Sequence, residues 1–361
     1  MFELHNSRGK PLSNLDKLKS FILHRLYVKN APRRVIDYVY NTFGEIYRIE
    51  FEILQSLEEK GITTRLTEED ILTAFGNLIF SYEYNFEKLK KSLKEKNAEE
   101  LEGFVSHLYR SFKAVKNFIK DGSDYANYIK DYLPLKFNFI LPFLIKIYET
   151  EFQNREKFLK IFEKLLFVHN LAYTNARIES RIENFLKSLN ISSNPEEFEE
   201  KVFEILHKAG YWSKQRLLEN LKGYMYNPLA RIILKRYEIS LSIYEYNVIS
   251  KGEYIHKEPW QLEHIAPQNL KNKEISGYRK CEDFEEKYLN SLGNLLLVSK
   301  RHNIALGDKP FAEKLNSYKN ESPFQHHKEV EQFSENGIWS CGSIEQRLKR
   351  LEDFVKNEWR L

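Results

Sequence analysis

The feature that most limits the fold of this chain is the spacing of its apolar residues, which keeps a helical repeat from about residue 13 to about residue 246. Apolar residues three and four positions apart lie on one face of a helix. Ser13 with Asp16 fits the capping box that opens a helix, and Asn227 before Pro228 fits another helix start. The pattern predicts a mainly α protein. Two of the apolar stripes are Leu15, Leu18, Ile22 and Leu26, and then Phe51, Leu54 and Leu57.

The pattern changes near residue 247, where apolar and polar residues begin to alternate. Residues 260–265 alternate as a short strand does, and Pro267 ends that strand. Residues 295–298 form a short apolar run typical of a buried strand, and Ser299 is placed to cap a helix over 300–306. This part of the chain is therefore predicted as strand, long connection, strand and helix.

Two more helices are expected in the same region. One covers residues 282–292, inside the long connection, and Gly293 breaks it. Ser343 with Gln346 fits the capping box of a last helix near the C-terminus.

Charge and cysteine usage limit the class of protein and its compartment. The 361 residues carry a net charge of +4, and the two cysteines, Cys281 and Cys341, lie 60 positions apart. This spacing argues against a disulfide framework and against a zinc site of four cysteines. The N-terminus is too polar for a signal peptide, and the most apolar stretch, 137–148, is too short to cross a bilayer. We therefore expect a cytoplasmic protein that does not bind a membrane.

Two short segments contain the residue types that phosphodiester hydrolysis requires. The first ends a predicted strand with Glu263 beside His264, and the second places Asn294 and Asn303 nine positions apart across a strand–helix junction. Neighbouring residues of a strand face opposite sides, so the carboxylate and the imidazole can serve different tasks. Hydrolysis needs a base that activates water and a cation that neutralises the phosphate, and Mg²⁺ prefers oxygen ligands.

These segments resemble the nuclease domain of the HNH, or ββα-metal, superfamily, and more narrowly that of the GmrSD-type modification-dependent restriction endonucleases. The EHIxPQ motif of that family is present at 263–268, its GNLxL motif at 293–297, and a further asparagine at 303. The remaining matches are Phe311, Lys314, Trp339, Ile344 and Arg347. The resemblance implies a helical domain followed by a small ββα-metal nuclease domain with flanking helices.

The resemblance also implies a role for each site residue. His264 is expected to be the general base and Asn294 to orient it, while Glu263 and Asn303 are expected to bind the metal ion, Mg²⁺ or alternatively Mn²⁺. His302 is a rival ligand, since it lies next to Asn303. Four basic residues are candidates for contact with nucleic-acid phosphates, although an ordinary solvated surface explains them equally well. They are Lys300, Arg301, Lys309 and Lys314.

Residues 2–19 resemble the last motif of the N-terminal ParB-like domain of the same family, and its other motifs are not found. The matching residues are Phe2, Asn6, Arg8, Gly9, Leu12, Asp16 and Lys19. Nucleotide hydrolysis is therefore not expected of this chain, and either the chain is truncated or a separate ParB-like sensor subunit is a partner. The expected domains are a ParB-like remnant over 1–20, a helical domain over 21–246 and the nuclease domain over 247–361.

The expected function is a DNA endonuclease of a restriction or phage-defence system. Two alternatives stay open. One is a non-catalytic remnant that binds nucleic acid or a partner, and the other is an RNase, because the site recognises phosphates rather than sugars. Convergence of the four site residues in the fold would favour an enzyme, whereas Asn303 pointing away would favour the remnant.

Overall fold

The structure is a computed structural model in which two compact units can be distinguished. The first comprises Met1–Glu59, Thr63–Leu159 and Ala176–Lys201, and the second comprises Lys60–Ile62, Lys160–Asn175 and Val202–Leu361. Among the described residues, no helix is both long enough and apolar enough to cross a membrane. The residues that the structure describes are 12–62, 66–81, 83–135, 138–149, 151–172, 178–179, 181–182, 186, 189–190, 193–207, 212–242, 260–271 and 273–361.

Helices build the first unit. Those within its range are α1 (Asn14–Val28), α2 (Arg33–Glu59), α3 (Glu68–Phe80), α4 (Phe86–Leu93), α5 (Ala98–Lys120), α6 (Asp124–Lys130), a 3-10 turn (Leu133–Leu135) and α7 (Ile140–Glu149). Two more helices, α8 (Arg155–Leu171) and α9 (Pro195–His207), have residues in both ranges.

The helical repeat explains most of this packing. Ser13 and Asp16 form the expected capping box at the start of α1, and all four residues of its apolar stripe are fully buried. In α2 one expectation was wrong, because Phe51 is 68% exposed while Ile53 and Leu57 are buried. The buried face of α2 is the one that packs against α5. Phe51 lies two positions from Ile53, and residues so spaced do not share a helix face.

The second unit combines helices with short strands, and together with the first it confirms a mainly α chain. Asn227 accepts hydrogen bonds from the N–H groups of Leu229 and Ala230, as expected for a residue that opens a helix. The helices are α10 (Lys214–Lys222), α11 (Pro228–Ser242), α12 (Lys300–Leu306), α13 (Phe311–Asn320), α14 (Gln325–Lys328) and α15 (Cys341–Glu358). The strands are β1 (Gln261–His264), β2 (Tyr278–Arg279), β3 (Leu295–Val298) and β4 (Trp339–Ser340).

β1 and β3 form a two-stranded antiparallel sheet that α12 follows. The register runs from Gln261 opposite Val298 to His264 opposite Leu295. Ser299 caps α12, since its side chain accepts the His302 N–H at 3.2 Å. The predicted order of strand, long connection, strand and helix is therefore confirmed.

The outer edge of β3 is closed by side chains instead of a further strand. The Leu297 N–H donates to His326 Nε2 at 3.3 Å, and His327 Nε2 donates to the Leu297 carbonyl at 2.9 Å. His326 in turn donates through Nδ1 to the buried Glu238 of α11 at 2.7 Å. The backbone groups of a buried edge need such partners.

β2 and β4 pair in parallel, and a disulfide joins Cys281 to Cys341 directly after them. The expectation of no disulfide was therefore wrong. The register sets Arg279 opposite Ser340, so the two strands bring both cysteines to the same end of the sheet. Separation along the sequence gave no sign of this proximity, because it arises from strand pairing.

Two local helix predictions also differ from the structure. Residues 282–292 do not form one helix but contain a single π-type turn (Phe284–Tyr288), followed by a 3-10 turn (Leu292–Asn294). The Leu289 carbonyl accepts from the Asn294 side chain, which takes the place of a helical N–H donor. The last helix starts earlier than expected, because Ser340 is its cap and Ser343 is the capping-box partner.

Candidate functional site

Glu263 and His264 are the last two residues of β1, and they face opposite sides of the strand. Glu263 contacts α13 through Lys314, whereas the His264 ring contacts Asn290 and Tyr226. Alternation along the strand causes this separation. The site therefore has a carboxylate side and an imidazole side.

On the carboxylate side, Glu263 and Lys314 form a buried ion pair. Glu263 is 7% exposed and Lys314 is fully buried, and Lys314 Nζ donates to Glu263 Oε1 at 2.5 Å. The same amine donates to the His264 carbonyl at 2.9 Å. Burial raises the pKa of the Glu263 carboxyl and lowers the pKa of the Lys314 amine, while each partner's charge opposes the shift of the other.

On the imidazole side, Asn290 determines which ring nitrogen of His264 carries the proton. Nε2 lies 3.0 Å from Asn290 Oδ1, and that oxygen is an acceptor, so Nε2 carries the proton. Nδ1 is then a lone-pair acceptor, and it has no hydrogen-bond partner among the described residues. Burial lowers the pKa of His264 to about 4, opposed by the Asn290 contact and reinforced by the Lys314 charge, so the ring is neutral near pH 7. Tyr226 stacks on the ring with 4.6 Å between the centroids.

Asn294 fixes the backbone that follows His264 and makes no hydrogen bond to the ring. Its Oδ1 accepts the Ala266 N–H at 2.9 Å and Trp339 Nε1 at 3.1 Å. Its Nδ2 donates to the carbonyls of Ala266 at 3.2 Å and Leu289 at 2.9 Å. Every hydrogen-bonding group of this buried amide is used, so Asn294 acts on the position of His264 through the chain.

Asn303 lies on α12 and faces β1. Its Nδ2 donates to Gln261 Oε1 at 2.8 Å, and its Oδ1 accepts no hydrogen bond from a described residue. Gln261 and Glu263 are two positions apart on β1 and share a face, so Asn303 lies on the carboxylate side of the site. The rival His302 faces elsewhere, with Nε2 2.9 Å from Ser317 Oγ.

Carboxylate and amide oxygens on one face of β1 are the donor types that Mg²⁺ prefers. Asp308 is also close enough for its charge to raise the pKa of Glu263. Within the described part of the chain, no group of three or more His, Cys, Asp or Glu side chains has metal-binding spacing. A metal ion here would therefore depend on few protein ligands, which suits a cation that keeps several waters.

The four expected phosphate contacts divide into two kinds. Lys300, Arg301 and Lys309 are exposed on and after α12 and are available to a ligand in solution. Lys314 differs from the expectation, because its fully buried amine is already bonded to Glu263 and His264. A surface contact to phosphate does not agree with this placement.

Contacts with α15 hold in place the turn that leads into β3. The buried Arg347 guanidinium donates to three carbonyls, those of Leu292 at 3.3 Å, Gly293 at 2.9 Å and Leu295 at 2.8 Å. Burial lowers the pKa of Arg347 to about 10, so it stays charged near pH 7. Gly293 packs so closely on α15 that an added Cβ would lie 2.2 Å from the Ile344 carbonyl oxygen.

Sequence reasoning missed Asn290 and Tyr226. Asn290 lies in the long connection, and its backbone carbonyl accepts the Met225 N–H at 2.8 Å. Tyr226 lies before residue 247, outside the expected nuclease domain, although the second unit extends back to include it. No local pattern marks either residue, because both reach His264 through tertiary folding.

The fold and the site together describe a mainly α protein whose second unit presents a carboxylate, a neutral imidazole and two amides around the end of a strand. Residues 180–353, just under half of the chain, match the family described as GmrSD restriction endonucleases, C-terminal domain. This match confirms the resemblance to the GmrSD restriction endonucleases that was drawn from the motifs. No curated protein and no solved structure matches the chain.

Proposed function

We propose that the second unit is a metal-dependent endonuclease of the HNH type that hydrolyses phosphodiester bonds of DNA. The observation that carries this proposal is the neutral, buried His264, whose Nδ1 has no partner among the described residues. A proton acceptor in this state is available at neutral pH. The match of residues 180–353 to a restriction-endonuclease family supports the same reaction.

In this mechanism His264 accepts a proton from the attacking water at Nδ1. Asn290 holds the proton of Nε2, which keeps the ring in the tautomer that can accept. Lys314 and Asn294 fix the backbone at and after His264, through the His264 carbonyl and both backbone groups of Ala266. The base is thus held in place before substrate arrives.

Glu263 and Asn303 would hold the metal ion, Mg²⁺ or alternatively Mn²⁺. When bound, the metal supplies positive charge that neutralises the phosphate and the departing oxygen. Gln261 orients the Asn303 amide, since it accepts from Nδ2 and so leaves Oδ1 available as a ligand. Both oxygen donors lie on the face of β1 away from the His264 ring.

The substrate is proposed to be DNA in a restriction or phage-defence system. Lys300, Arg301 and Lys309 are exposed near the site and would contact its phosphates. The family motif at the N-terminus supports a ParB-like sensor as a partner, and its matches at residues 2–9 lie outside the described residues. Leu12, Asp16 and Lys19 are the matching residues that the structure describes.

The test compares the full chain and its Glu263→Gln variant on duplex DNA and on RNA of the same sequence, with Mg²⁺ or Mn²⁺. DNA cleavage that needs the cation and disappears in Glu263→Gln supports the proposal. Preferential cleavage of RNA would instead assign an RNase. Binding without cleavage, with either metal and with a ParB-like sensor added, would contradict an enzyme and support an interaction role.

A further inference from the structure

Lys314 is a fully buried cation at the carboxylate side of the site. Its amine donates to Glu263 Oε1 at 2.5 Å and to the His264 carbonyl at 2.9 Å. Lysine is almost never fully buried unless its charge is paired. The amine thus bonds to two adjacent residues: Glu263, whose side chain is proposed to bind the metal, and His264, whose ring is the proposed base.

This contact conflicts electrostatically with a metal ion. A divalent cation on Glu263 would lie close to the Lys314 ammonium, and two cations on one carboxylate repel each other at short range in a buried site. Without a metal, the lysine neutralises Glu263, which would otherwise be an unpaired buried charge. Lys314 therefore stabilises the metal-free site and opposes the metal-bound site.

We propose that Lys314 is an internal counter-cation with which a divalent metal ion competes for Glu263, so that this lysine sets the metal affinity of the site. The inference rests on the proposed function, because it takes Glu263 as a metal ligand. Lys314 is a positioning residue here, since it acts through Glu263. The exposed Lys309 lies five positions earlier and offers a matched control for the loss of one positive charge.

The first test measures the binding of Mn²⁺ by isothermal titration calorimetry, with MnCl₂ alone titrated into the full chain. Lys314→Met should bind Mn²⁺ at least about tenfold more tightly than the wild type, because a nearby positive charge is gone. Lys309→Met should change the affinity by less than about twofold, because solvent and salt screen an exposed charge. The double variant Glu263→Gln with Lys314→Met should not show this increase in Mn²⁺ affinity.

The second test measures thermal unfolding with and without Mn²⁺. Lys314→Met should be less stable than the wild type when metal-free, because Glu263 is left buried without a counter-charge. Mn²⁺ should then raise its Tm by more than it raises that of the wild type, because binding to the folded state stabilises it. Lys314→Gln serves as the second variant if Lys314→Met does not fold.

The outcomes separate this inference from the proposed function. Wild-type binding of Mn²⁺ with equal or weaker binding by both Lys314 variants would overturn the inference alone. No binding by any variant would overturn the inference together with the metal-dependent function. A crystal structure of the wild type with Mn²⁺ gives a test that does not depend on folding of a variant: Lys314 Nζ should leave hydrogen-bond distance of the metal-bound Glu263 oxygen, and a retained bond would overturn the proposal.

Discussion

Replacement of Asn294 by alanine should destabilise the second unit strongly. The amide is fully buried and makes four hydrogen bonds, to both backbone groups of Ala266, to the Leu289 carbonyl and to Trp339 Nε1. At a net contribution of about 1 kcal/mol for each hydrogen bond, the loss is about 4 kcal/mol. Unpaired donors left by Ala266 and Trp339 act in the same direction. A loss of this size is a large part of the stability of a typical domain.

The assay is urea unfolding followed by tryptophan fluorescence. All four tryptophans of the chain, at positions 212, 260, 339 and 359, lie in the sequence range of the second unit, so the signal reports that unit. Asn316→Ala is the matched control, because Asn316 is exposed on α13 and should change the free energy of unfolding by less than about 0.5 kcal/mol. A loss below about 1 kcal/mol for Asn294→Ala would refute the argument that this amide holds the strand junction together.

Three further predictions concern the same unit. Gly293→Ala should cost several kcal/mol in urea unfolding, because its Cβ would lie 2.2 Å from the Ile344 carbonyl oxygen. The control in the same unit is Gly223→Ala, where an added Cβ would meet nothing closer than 3.4 Å and the effect should be small; equal effects would contradict the packing. Acid should weaken the fold through three buried imidazoles, those of His169, His264 and His327, because burial lowers their pKa values, to about 4 for the first two and well below 6.5 for the third. These groups take up protons below about pH 6.5 in the unfolded chain and not in the folded chain, so the free energy of unfolding should fall by about 6 kcal/mol from pH 7.5 to pH 5, and a flat profile would contradict neutral burial. Reduction of the Cys281–Cys341 disulfide should lower the stability of the unit by about 4 kcal/mol, which is the loop-entropy value for a loop of 60 residues. The control is the double variant Cys281→Ser with Cys341→Ser, which should not respond to reductant. An equal response of that variant would contradict the disulfide assignment.

Local sequence patterns were enough to predict the frame of the site. Alternation before Pro267 and the apolar run after Gly293 place both strands, and Ser299 caps the helix as expected, because each signal depends on neighbours along the chain. The predicted cap of the last helix was wrong, because a local pattern does not choose between two serines that both suit a cap. Ser340 and Ser343 both fit a cap, and only the completed fold shows which one starts α15.

The partners of the site residues were beyond local reasoning. Lys314 lies 51 positions from Glu263, and Asn290 lies 26 positions from His264. A lysine on an amphipathic helix is ordinarily exposed, so burial of Lys314 depends on how α13 packs against β1. The disulfide likewise follows from the parallel pairing of two strands of two residues each, which are too short to give a sequence signal.

The measurement that tests the central claim most directly is the rate at which the full chain nicks supercoiled plasmid and phage DNA, unmodified and modified, with Mg²⁺ or Mn²⁺. His264→Ala is compared with His302→Ala, whose ring faces Ser317 instead of the site. The account predicts metal-dependent nicking by the wild type, a loss of about 10²–10⁴-fold in His264→Ala and retained nicking in His302→Ala. Wild-type rates in His264→Ala, or a loss confined to His302→Ala, would contradict the assignment of His264 as the base.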